Sequence, residues 1–122
     1  MEEYPDEKSR ETYLISMEEN EQLTGLINKD LGGLNEGLVI ASGISDRQAI
    51  REQLAFVIAR LMEDNFERLC QAMYRLDVSE VKFDEVLTHK PVEDIPFAIA
   101  DLVIEREMQK VRTRMMHKRG EL

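Results

Sequence analysis

The chain has 122 residues, of which 43% are apolar and 34% charged. That is room for one domain around one core, with more charge than a typical globular domain carries. The formal net charge of -9 disfavours a general electrostatic attraction to nucleic acid or anionic membrane over the whole surface. A single cysteine excludes an internal disulfide, and the longest apolar tracts are far shorter than the ~20 residues of a membrane helix. A cytoplasmic, non-membrane protein is the expectation.

The charge is unevenly distributed. Acidic residues dominate up to Asp30, whereas the segment Arg106 to Arg119 carries Arg106, Lys110, Arg112, Arg114, Lys118 and Arg119 against Glu107. The opening "MEEYPDEKSRE" contains Pro5 and no apolar period, so residues 1–14 are expected to be a flexible acidic tail. Residues 15–119 are then a single helical domain.

Ser16 and Glu19 have capping-box spacing and predict a helix start near Met17. Leu23, Leu26, Ile27, Leu31, Leu34, Leu38 and Ala41 recur at three- and four-residue steps on one face. Gly32 and Gly33 make a break there possible, since each interior glycine costs up to ~1 kcal/mol relative to alanine. Gly33, Gly37 and Ala41 would let a backbone approach closely.

Gly43 is a helix stop. Ser45 with Gln48, and Ile44 with Ala49, then supply a capping box and a hydrophobic staple. No glycine or proline follows until past Leu76, so one unbroken helix is expected from Asp46 to Leu76. It carries two apolar stripes: Ile50, Leu54, Val57 and Leu61, and Ile58, Met62, Phe66, Leu69, Met73 and Leu76. Such a helix would be ~45 Å long, more than the ~35 Å width of a compact chain of this size. A homodimer through this helix, or through the distal seam of the last one, is therefore expected.

"LDVSE" reads as a corner, with Asp77 and Glu80 as a capping box and Leu76 and Val81 as a staple. Cys70 falls on the side of Phe66 and Met73 and is expected to be an inert core thiol. A short helix from about Ser79 to Thr88 should use Val81, Val86 and Leu87 for contact. Asp94 and Pro96 suit the start of a last helix, from about Ile95 to His117. Its first half, "IPFAIADLVI", should be the deepest part of the core. The expected fold is all-α, a small bundle of three longer helices and one short one.

Catalytic patterns are weak. Glu85 and His89 share a helix face, but two ligands do not make a zinc site, and no third follows from spacing. Glu63, Asp64 and Glu67 are explained by ion pairs from Arg60 and Arg68. No phosphate loop, nucleophile elbow or repeated di-iron motif occurs. No enzyme activity, catalytic residue, metal or cofactor is expected.

The segment "KVRTRMMHKR" is the strongest functional candidate. On a helix, Lys110 and Arg114 form a basic strip beside an apolar strip of Met108, Val111 and Met115, with Arg112 between turns. Such a surface suits an acidic partner helix, the chain's own acidic N-terminus, or a phosphate backbone. The absence of interleaved aromatics argues against sequence-specific nucleic-acid recognition. A protein-interaction or assembly module is the favoured reading, with weak nucleic-acid binding and a metal-assisted enzyme around Glu85 and His89 as alternatives.

"NFERLCQAMYRLDVSEVKFDEVL" and "IADLVIEREMQKVRTR" carry a resemblance over residues 55–114 to a group of small uncharacterised bacterial helical proteins. The shared pattern is "YR-DVSE" followed by "AD-IIER--QK-RTR". The resemblance implies a helical fold and brings no activity or binding residue. Read on their own, Tyr74 and Arg75 end the central helix, and Arg75 is placed to bridge to Asp77 or Glu105. They are the second candidate interaction surface.

Overall fold

A computed structural model describes residues 7–32 and 46–120. The described residues form five α-helices and one 3-10 turn, and contain no strand. The helices are α1 (Glu7–Gly32), α2 (Arg47–Asp64), α3 (Phe66–Leu76), α4 (Glu80–His89) and α5 (Ile95–Lys118). The expectations for Gly33, Leu34, Gly37, Leu38, Ala41, Gly43, Ile44 and Ser45 lie outside the described residues.

Helix α1 begins at Glu7, not near Met17. Residues 7–14 are therefore helical where a loose tail was expected, and Ser16 and Glu19 lie inside the helix. The stretch from Glu7 to Ser16 holds no glycine or proline and is rich in Glu, Lys and Arg, all good helix formers. Thr12 Oγ1 donates to the Lys8 carbonyl at 3.0 Å, a side-chain bond along this first part.

The expected unbroken central helix is two helices. Asn65, with φ -161° and ψ 79°, ends α2 and starts α3. Its N–H donates to the Leu61 carbonyl at 2.8 Å and closes α2. Its Oδ1 accepts from the Arg68 N–H at 3.1 Å and opens α3. Asparagine does both because its short amide can satisfy a free helix N–H from an extended backbone. The ~45 Å helix does not exist, and the length argument for a dimer goes with it. At the break Phe66 is 42% exposed rather than part of the core stripe.

The "LDVSE" corner forms, with its residues in different roles. Asp77 adopts φ 61° and terminates α3 instead of capping α4. The Val78 N–H returns to the Met73 carbonyl at 3.0 Å and the Asp77 N–H to Tyr74 at 3.1 Å, the paired closure of a Schellman end. Val78 and Met73 are both buried, which adds the apolar contact of that motif. Ser79 is the cap of α4, its Oγ accepting from the Lys82 N–H at 3.3 Å. Val81 is 69% exposed, and α4 docks through Val86, Phe83 and Leu87.

Helix α5 is the common wall, since α1, α2, α3 and α4 all pack against it. Ile95, Ile99, Ala100, Val103 and Ile104 are buried along its first half. Pro96 is tolerated in its first turn; Asp94 precedes it without a side-chain cap bond. Arg51 of α2 clamps onto this half: its guanidinium meets both Asp101 oxygens, at 2.7 and 3.1 Å, and lies over the Phe97 ring at 4.8 Å. The Asp101 hydrogen bond raises the pKa of Arg51 further above its ordinary value.

Replacing Asn65 with Ala leaves the Arg68 N–H without its acceptor and should cost about 1 kcal/mol in urea unfolding followed by circular dichroism. Asn65→Asp, which keeps the acceptor, should stay within a few tenths of a kcal/mol of wild type.

Candidate functional site

The second half of α5 does not offer an apolar seam to a partner. Met108, Val111 and Met115 are 3%, 1% and 4% exposed and belong to the chain's own core. Their cover includes α1, whose Asn20, Leu23, Thr24, Ile27 and Leu31 recur at helical spacing and are all buried. The seam legible in the sequence is real, but its partner is the helix whose start the sequence placed too late.

The basic strip beside it is partly consumed in the same way. Arg112 Nε lies 3.2 Å from Glu19 Oε2. Lys110 Nζ is 3.6 Å from Asp30 Oδ2 and 3.2 Å from Glu107 Oε2. Each cation thus meets a carboxylate of α1, Arg112 that of Glu19 and Lys110 that of Asp30. Arg114 stays exposed, as do Lys118 and Arg119.

Polar groups run through this α1–α5 seam. Asn20 Oδ1 accepts from Arg47 Nε at 2.7 Å, and Thr24 Oγ1 donates to the Asn20 carbonyl at 3.0 Å. Burial lowers the pKa of Arg47, and neighbouring Arg112 adds to that while Glu19 opposes it. Deeper in the seam, Glu107 is 0% exposed. Neither of its oxygens has a hydrogen bond of normal geometry, although the Lys110 ammonium is close to one of them. Burial raises the Glu107 pKa to about 7; the neighbouring Asp30 adds to the rise, and Lys110 opposes it. A protonated Glu107 can donate to Asp30, which resolves how a side chain with no donor aimed at it sits there.

Composition alone misses Glu107, where it reads as one acid among basic residues. Register finds it: Ala100, Val103, Ile104, Glu107, Met108 and Val111 lie on the same three- and four-residue steps.

Tyr74 and Arg75 sit on the outer face of α3, with Tyr74 78% exposed. With Glu67, Cys70 and Gln71 they border an open depression, and Cys70 is half-buried rather than a core thiol. Arg75 bridges to neither expected acid. Asp77 pairs with Arg106 at 3.3 Å, and Glu105 with Lys82 at 3.3 Å. These pairs tie the corner after α3 to α5, around a second depression lined also by Ser79 and Leu102. Arg60, expected opposite Asp64, instead lies over the Phe56 ring at 5.9 Å. Glu85 and His89 are both exposed, and among the described residues no group of three or more His, Cys, Asp or Glu side chains is placed to hold a metal ion.

No protein-family model, curated protein or solved structure matches this chain.

Charge reversal should separate the basic positions by their environment. Lys110→Glu sets a third carboxylate against Asp30 and Glu107 and should cost about 2 kcal/mol or more in urea unfolding at neutral pH. Arg114→Glu, at an exposed position, should change stability by about 0.5 kcal/mol or less.

Proposed function

We propose that the chain is an assembly module, a small helical bundle that associates with a second copy of itself through the end formed by the first half of α1 and the last turns of α5. The observation that carries this reading is the exposure of Tyr13, Leu14, Ile15 and Met17, at 45%, 56%, 41% and 37%. These four large apolar side chains lie within five residues of one helix segment, and each is more than a third exposed. A lone helical segment of this length gains little from propensity and is normally fixed by packing its apolar residues. Fully burying such a side chain contributes roughly 1.5–3 kcal/mol.

Charge complementarity favours a second copy as the occupant. Glu7, Glu11 and Glu18 outnumber Lys8 and Arg10 around the exposed apolar residues of α1, whereas Arg114, Lys118 and Arg119 stand around Met116 on α5, itself 36% exposed. A two-fold arrangement sets the acidic α1 of one copy on the basic α5 end of the other, twice. The surface differs from both expected from sequence, because the central helix is interrupted and the Met108–Met115 seam is internal. Tyr74 and Arg75 remain accessible beyond this interface. Nucleic-acid binding is the weaker reading, since Lys110 and Arg112 are engaged by Asp30, Glu107 and Glu19. No catalysis is assigned.

Sedimentation equilibrium from low to high micromolar concentration should give a reversible dimer that weakens as salt is raised. Leu14→Lys combined with Ile15→Lys should yield a monomer with unchanged stability of the core helices. A wild-type chain that stays monomeric throughout the range contradicts the proposal; retention of RNA by the wild type with a steep salt dependence would favour the alternative.

A further inference from the structure

Glu107 lies where helix packing ordinarily demands an apolar side chain, and it is opposed by a carboxylate of the helix it packs against. The charged groups that act on it are Asp30 from α1 and Lys110 from α5 itself; among the described residues, no group of α2, α3 or α4 does. One ammonium, 3.6 Å from Asp30 and 3.2 Å from Glu107, is shared between two acids. When both are ionised the cluster carries a net negative charge against a low-dielectric interior, and the Glu107 oxygens lack aligned donors. When Glu107 holds a proton it can donate to a neighbouring carboxylate, and Lys110 balances the remaining charge of Asp30.

We propose that Glu107 is a proton-linked latch on α1: protonated, it seals the second half of α1 onto α5, and ionised, it lets that half of α1 detach more readily than the other helices. The contact it controls is the α1–α5 seam, whose other buried polar members, Asn20 and Thr24, already make it less apolar than the α2–α5 contact. The Arg51–Asp101 clamp and the Arg106–Asp77 and Lys82–Glu105 pairs join α2 and the α4 corner to α5 without involving α1.

The direction follows from proton linkage. The carboxyl is raised from an ordinary 4.5 to about 7 in the folded chain, so between these values the docked state holds a proton that the released state gives up. Docking is therefore strongest at the acid side of that window and weakens as pH rises through it, levelling off above. The latch is a property of one copy and does not depend on self-association.

Amide hydrogen exchange of the full chain at dilute concentration, corrected for the intrinsic pH dependence of exchange, tests it at about pH 5.5 and about pH 8.5. Protection of peptides within residues 20–32 should fall roughly ten- to hundredfold between the two, and that of α2 by much less. Glu107→Gln, which keeps the neutral shape, should remove the drop. Asp30→Asn, at a partly exposed position that leaves folding intact, should shrink the drop. Equal protection of α1 at both pH values, an equal loss in α1 and α2, or an undiminished drop in Asp30→Asn would each overturn the proposal.

Discussion

A carboxylate with no solvent exposure in the seam between the first and last helices sets the terms for the rest of this structure. Desolvation of an ionised carboxyl is costly unless it is paired and hydrogen-bonded, and Glu107 has one nearby ammonium shared with Asp30. The interior accommodates it by favouring the neutral form. Apolar contacts on either side, from Leu23, Ile27, Leu31, Met108, Val111 and Met115, must therefore offset a polar centre. The opposite side of the wall differs: α2 meets α5 through Ile50, Leu54, Val57, Ile58 and Leu61, with its ionic clamp at the rim. The two faces of the same helix are built for different degrees of permanence.

Helix ends decide which surfaces remain available. Asn65 converts a rod into two shorter helices, so that α2 and α3 both return to α5 instead of overhanging it. Asp77, in the left-handed region, turns the chain again and presents its carboxylate to Arg106. Beyond these corners the exposed large apolar side chains of the described residues lie on the first half of α1, on Phe56, on the outside of α3, and at Val81, Val92, Phe97 and Met116. The first of these adjoins the basic end of α5, which is why it carries the proposed association.

The helical class, the corner at "LDVSE" and the span of the last helix could be read from periodicity and capping residues. The interruption at Asn65 could not, because asparagine is also tolerated within helices and no glycine or proline marks the site; an extended backbone there is selected by the packing of α2 and α3 on α5. The early start of α1 was obscured by composition, since a charged stretch without an apolar period suits an exposed helix as well as a tail. In the candidate site, the spacing of Met108, Val111 and Met115 was legible, but a buried face does not announce whether another molecule or another part of the same chain covers it. Lys110 and Arg112 looked free for the same reason: their partners Asp30 and Glu19 lie far away in sequence. Glu107 was visible only as a charge on the seam register, and its meaning required knowing that α1 closes over it.

The most direct measurement is a carbon-13 NMR titration of the side-chain carboxyls, with the Glu107 signal assigned by its loss in Glu107→Gln. A resonance that titrates near neutral pH, and that shifts toward the ordinary carboxylate range in Asp30→Asn, is the predicted result. A Glu107 carboxyl that titrates at its ordinary value of 4.5 would contradict the account, because it would mean that the side chain is solvated and that α1 does not close over it.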